Sequence, residues 1–367
     1  MQKPMLIDRR TFLASAGAAF LTGLNDGQAR AMQKADAVFA SAFKGADGSY
    51  GIATMSENGE LLHRYSLPDR GHDTVWRADG AQLIAFARRP GTFAAVIDPS
   101  NKAPPTIINA AEGRHFYGHG VYSADGALLY ATENDFDNAR GVIGIYNTRD
   151  SFKRIGEFDA HGIGPHDMEL LPDGQTLVIA NGGIETHPDF PRAKLNIASM
   201  KPNLAFINIR TGKLIESFKL PDDQHKLSIR HMALMESTVW FACQDEGDHT
   251  AGRSLVGQFS FDNGAIQMVD LPETTAANLR GYVGSIAANE QNGEVAFTSP
   301  RGGIMVRYDT RTQKVISTTR SDEICGVAAH DQQFIWSNGE GRFGPADHAK
   351  LWDNHISTAK RLSGRKS

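Results

Sequence analysis

An all-β fold, a β-propeller, is what this sequence predicts, and three observations carry the prediction. A short unit recurs: Gly71-His72-Asp73-Thr74-Val75-Trp76, Gly118-His119-Gly120-Val121-Tyr122, Pro165-His166-Asp167-Met168-Glu169-Leu170 and, more loosely, Arg230-His231-Met232-Ala233-Leu234. The spacing is 47 residues from His72 to His119, 47 on to His166 and 65 on to His231, and a period of roughly 40–50 residues filled with short strands marks one blade per repeat. Between the apolar runs stand Asp-Gly, Asn-Gly and Thr-Gly pairs of the kind hairpin turns require, and no long helical periodicity interrupts them.

The elements follow in order. Arg9-Arg10-Thr11-Phe12-Leu13, an uncharged run from Ala14 to Leu24 and Ala29-Arg30-Ala31 have the order of a twin-arginine export signal. Residues 1–31 are therefore expected to be a leader and 32–367 a single propeller domain; the apolar run is too short to span a bilayer. Strands are expected at Ala37–Phe43, Tyr50–Met55 and Leu61–Leu67, split by Gly45-Ala46-Asp47-Gly48 and Glu57-Asn58-Gly59-Glu60. Full units then start at His72, His119, His166, Ile229, Tyr282 and Ile324, the third holding a long excursion from Gly182 to Pro202. The surplus strands at the two ends favour seven blades closed by pairing of the N- and C-terminal strands; six is the alternative.

In a propeller the innermost strand of each blade runs along the central channel, and the second returns antiparallel to it. The starts of the inner strands therefore share one face with the ends of the second strands. That topology gathers His72, His119, His166 and His231 as candidate metal ligands, with Arg89, Glu133, Asn181, Asp245 and Arg301 as candidate binding residues beside them. Imidazoles from several blades suit iron, copper or zinc. Asp73 and Asp167 are placed to orient ligands of a neighbouring blade, because alternation along a strand turns them away from their own histidines. Repeat histidines also serve as hydrogen-bonded glue between strands, and both readings stay open at this point. Cys325 takes the equivalent place in the last unit as a soft ligand. His115, His161, His225, His249 and His348 are expected in solvated loops, and Trp76, Trp240 and Trp336 in the core.

The net charge of −4, which becomes −6 without the leader, provides no basic footprint for nucleic acid. The two cysteines, Cys243 and Cys325, fall in non-adjacent blades and are expected to be unpaired. No serine-histidine-acid signature, phosphate loop or haem-attachment motif is present.

Arg114-His115-Phe116-Tyr117-Gly118-His119-Gly120, Gly164-Pro165-His166-Asp167, Ser228-Ile229-Arg230-His231, Ser299-Pro300-Arg301-Gly302-Gly303 and Trp352-Asp353-Asn354-His355 together resemble one family. It is a group of exported bacterial propellers carrying a domain of unknown function, number 1513, and the resemblance spans nearly all of the mature chain. It implies a periplasmic place and an iron-related role, since its members lie beside imelysin-like and di-haem peroxidase-like proteins of iron uptake. It transfers no catalytic residues. Three functions are thus expected of the channel mouth: metal binding in iron acquisition, a metal-dependent oxidoreductase or hydrolase, or a scaffold docking a periplasmic partner.

Overall fold

The structure is a computed structural model and describes residues 25–99, 103–190, 193–249 and 252–359. It forms seven antiparallel sheets, which makes the chain a seven-bladed propeller. Blade 1 holds Val38–Gly45, Tyr50–Ser56 and Leu61–Leu67. Its innermost strand comes from the other end of the chain: Lys350–Trp352 and Ser357–Thr358 both pair antiparallel with Val38–Gly45. Blades 2 to 7 have inner strands Gly71–Trp76, Arg114–Tyr122, Pro165–Leu170, Leu227–Met235, Ser285–Asn289 and Ile324–His330.

The core lies between neighbouring sheets, not at the axis, because alternate residues of a strand face opposite neighbours. In blade 2, Leu83, Ala85 and Ala87 pack with Ala40, Ala42 and Ile52 of blade 1. Ile84 and Phe86 of the same strand pack with Phe116 and Leu129 of blade 3. Second strands such as Leu83–Ala87 are buried on both faces, whereas the outermost strand Lys314–Arg320 alternates exposed and half-buried residues. Trp76 and Trp240 are buried as expected, and Trp336 packs against the cluster between blades 6 and 7.

The chain differs from expectation at its edges. The twin-arginine pair and residues 1–24 lie outside the described residues. The end of the expected leader lies within a helix, Asp26–Lys34, capped by Asn25, whose Ala31 and Met32 join the cluster between blades 1 and 2. A second short helix, Glu273–Asn278, precedes blade 6. Blade 7 ends in two-residue strands, Arg342–Phe343 and Ala346–Asp347, because the following segment has left it to close blade 1.

Trp352 anchors that closure, its ring centroid 6.0 Å from Phe43 and 5.1 Å from Phe343 and its Nε1 donating to the Gly341 carbonyl at 3.1 Å. Trp352→Ala removes a buried aromatic side chain and a hydrogen bond at once, and is expected to cost about 3–5 kcal/mol in chemical denaturation. A loss below about 1 kcal/mol would show that the ring closes by other contacts.

Candidate metal centre

The inner strands do not pair smoothly where the histidines sit. In blade 2 the register passes from Gly71–Ala87 to Thr74–Ala85, so His72 and Asp73 together oppose one residue. In blade 3 it passes from Phe116–Glu133 to Gly120–Ala131, leaving Tyr117, Gly118 and His119 opposite one residue. His166 is the extra residue in blade 4, and Arg230, next to His231, is the extra residue in blade 5. Bulges bend a strand and re-aim its side chains, and here they turn the imidazoles toward the axis. Gly118, at φ +107°, is required: a Cβ there would stand 2.5 Å from Cδ2 of His72.

The four predicted histidines meet, and a fifth joins them. His355 lies in the stretch of the closing strand between its pairings at Trp352 and Ser357, so blade 1 contributes an imidazole as blades 2 to 5 do. Its signal in the sequence was Trp352-Asp353-Asn354-His355, legible as a site only if that segment is taken as an inner strand. The centroid of His119 is 5.0 Å from His72, 5.1 Å from His166, 5.6 Å from His231 and 4.9 Å from His355. The other four form a ring about it: His355 is 4.6 Å from His72 and 4.7 Å from His231, His231 is 4.7 Å from His166, and His166 is 6.2 Å from His72. Two triads sharing His119, one with His72 and His166 and one with His231 and His355, each bring three ligand nitrogens within 4.8 Å of one another.

Carboxylates orient part of this set. Nδ1 of His119 lies 3.2 Å from Asp73 and 3.4 Å from Asp167, one from each neighbouring blade, as the strand alternation predicts. Nδ1 of His72 lies 3.1 Å from Asp353, which also accepts from Arg70 at 2.7 Å and Arg88 at 2.9 Å. An ionised carboxylate only accepts, so both rings donate through Nδ1, and Nε2 keeps its lone pair. Among buried nitrogens, His119 Nε2, His166 Nδ1, both nitrogens of His231 and His355 Nε2 have no hydrogen-bond partner.

Burial holds these rings neutral. It pushes His72 down to about 4 against the pull of Asp353, and it carries His166, His231 and His355 well below the usual histidine range. His119 goes the other way: burial opposes its charge, but Asp167 and Asp73 together outweigh burial and raise it. Burial and the nearby Asp73 raise Asp167 to about 6. Asp353 is held very low, burial being more than offset by His72, Arg88 and Arg70.

The other expected residues are placed as follows. Arg89 lies over the ring of Tyr117 at 5.9 Å and Arg301 over Tyr282 at 5.0 Å, both at the histidine end. Glu133 accepts from Tyr146 at 2.6 Å and Arg154 at 2.8 Å inside its own blade. Asn181 donates to the Ala160 carbonyl, and Asp245 accepts from the Gly247 amide. These three serve as structural ties. Cys325 is buried in the cluster between blades 7 and 1. Its thiol is pushed up to about 12 by burial and lies 3.3 Å from the Asp353 carbonyl, so it stays protonated and contributes no thiolate. Both cysteines are free.

His115 corrects the expectation of a solvated loop: it is buried in the inner strand of blade 3 and bonded to Asn134 and the Phe116 carbonyl. His348 bonds the Gly59 carbonyl, while His249 is exposed. The described parts of the excursion, residues 182–190 and 193–202, are tied to blade 3 by Asn134 and to blade 5 by the Lys194–Glu246 ion pair. On the opposite side of the cluster a channel of about 570 Å3 runs between the inner strands. Its inner end is Asp73, His119, Asp167, His231 and His355, and its walls include Val75, Val121, Met232, Leu234 and Ile286.

The comparisons agree with this architecture. Residues 65–359 match the family described as "Protein of unknown function (DUF1513)", and the chain belongs to that family. No curated protein matches it. Among solved structures it is similar in fold to the Kuenenia stuttgartiensis hydrazine synthase, with a TM-score of 0.62 at 12% identity over 88% of this chain and 95% of that one. At that identity the likeness concerns the fold alone.

The metal-free protein is expected to be acid-sensitive. As pH falls through about 6.5, the unfolded chain protonates its histidines while the folded chain keeps His72, His166, His231 and His355 neutral. Each contributes stability that is present above that pH and lost below it, at about 1.4 kcal/mol per pH unit per group, while His119 and Asp167 offset part of the loss. Thermal unfolding of metal-free protein should show a falling melting temperature from pH 6.5 down to 4.5. A flat profile would mean that the cluster is solvated.

Proposed function

We propose that this protein is an exported metal-binding propeller that holds iron at the imidazole cluster and serves iron acquisition in the periplasm. The supporting observation is the set of partnerless buried nitrogens on His119, His166, His231 and His355. Each such group costs on the order of 1–3 kcal/mol when nothing satisfies it, and a cation held by either triad would take up one lone pair from each of its three imidazoles. Asp73, Asp167 and Asp353 supply the outer partners that metal-bound imidazoles usually have.

Imidazole donors suit iron, copper and zinc, with copper the tightest binder of the three. The choice of iron, the periplasmic place and exchange with imelysin-like or di-haem proteins rest on the family resemblance. The Arg9-Arg10 leader supports export of a folded, loaded protein. Among the described residues no helix is long and apolar enough to cross a membrane.

Full-length protein exported through its own leader is expected to carry one equivalent of metal by elemental analysis and to lose thermal stability when chelated. Ligand at a hundredfold excess over its Kd adds about 2.7 kcal/mol, so the shift is readily measured. His231→Leu should remove that metal-dependent shift while leaving the metal-free protein no less stable, because it replaces an unsatisfied buried ring by an apolar one. Absence of bound metal, together with no response to added iron, copper or zinc, would refute the proposal.

A second reading is favoured by the channel that ends at the cluster: a metal-dependent oxidoreductase or hydrolase, reached from the opposite face. Turnover by loaded protein that disappears in a folded His166→Ala variant would establish it, and metal retention without turnover would leave only binding.

A further inference from the structure

The side of the cluster away from the channel gathers three arginines, Arg230, Arg89 and Arg301. Arg230, the extra residue of the blade 5 bulge, has a side chain only 11% exposed, and its Nε has no hydrogen-bond partner. Its nearest carboxylate is Glu246, whose Oε1 forms a long ion pair with it at 3.8 Å while Oε2 pairs with Lys194. Arg89 and Arg301 lie nearby on the rings of Tyr117 and Tyr282. Arg70 and Arg88 are different, being matched by Asp353. A buried guanidinium whose Nε has no hydrogen-bond partner and whose one carboxylate stands at 3.8 Å is poorly satisfied.

Two hydroxyls face the same charge. The Tyr117 hydroxyl is buried, with the Thr186 side chain beside it. The Tyr282 hydroxyl accepts from Asn354 at 2.8 Å, which leaves its own hydrogen to donate. A phenol keeps its proton at neutral pH, so each is a donor. Arg230 acts electrostatically on both tyrosines and on His166 and His231. None of Arg230, Arg89, Tyr117 and Tyr282 lines the channel.

We infer that Arg230, Tyr117 and Tyr282 form a site for a small oxygen anion, a carboxylate or an inorganic oxyanion, bound on the side of the histidines opposite the channel. The guanidinium supplies charge-assisted hydrogen bonds and the phenols supply neutral ones. The placement of these side chains stands without metal. The placement of the anion beside a metal rests on the reading given under Proposed function.

The test keeps the two apart. Metal-free wild-type protein is titrated with acetate, citrate and inorganic phosphate at constant ionic strength, chloride being the control, and melting temperature is followed. Acetate or citrate raising it above the chloride control identifies a carboxylate, phosphate alone an inorganic oxyanion, and either supports the site. Arg230→Gln should weaken the apparent anion affinity at least tenfold. Tyr117→Phe, a change of one hydroxyl, serves if that variant fails to fold.

In a second arm copper(II)-loaded protein is titrated with azide and its absorption spectrum recorded. The wild type should show an azide-dependent band that Arg230→Gln shifts to at least tenfold higher azide. Elemental analysis of the same samples reports on metal binding separately. Equal anion responses in wild type and in both variants, or no response above chloride in either arm, would overturn the site whether or not metal binds.

Discussion

The closing strand is the constraint on which the rest depends. A ring of sheets has an axis only once its last gap is sealed, and here residues near 355 seal it against residues near 40. The same segment brings Asp353 onto Arg70, Arg88 and His72 of blade 2, and His355 into the imidazole cluster. Closure and site are therefore one set of contacts. An open ring would leave Asp353 without its cations and the histidines of blades 2 to 5 without their fifth member.

The cluster is built by breaking the pairing rules of the sheet. Ser285–Asn289 of blade 6 pairs in register without a slip and carries no histidine, while blade 7 slips at Cys325 and Gly326. Blades 2 to 5 insert extra residues at the equivalent place and give up ladder hydrogen bonds. In return the side chains turn to the axis, where their nitrogens are hidden from water and left without partners. Such local violations concentrate at functional sites. The charge around the cluster is also divided. Asp73 and Asp167 stand at the channel side, Arg230, Arg89 and Arg301 at the other, and the imidazoles lie between them.

Much of this was legible in the chain. The repeat of His72, His119 and His166 at equal spacing names the architecture, and the topology of any propeller then places those residues on one face. Alternation along the strand foretold that Asp73 and Asp167 would serve a neighbouring blade, as they do at His119. The same reasoning misjudged His115, Glu133 and Cys325. A residue's place at a strand end does not say whether its side chain meets the axis or a neighbouring sheet. That is decided by the bulge and by packing between blades.

The periodic part can be read from the chain alone: short strands, hairpin turns, seven sheets favoured over six, and imidazoles recurring at the start of inner strands. These follow from local pattern, because strand alternation and turn chemistry act over a few residues. Only the tertiary structure decided that His355 completes the cluster, that Asp353 is shared by Arg70, Arg88 and His72, and that Arg230 is buried beside Tyr117 and Tyr282. Each of those depends on groups from different blades, in the case of Asp353 and Arg70 separated by 283 residues. No local pattern encodes them; the ring creates them when it shuts.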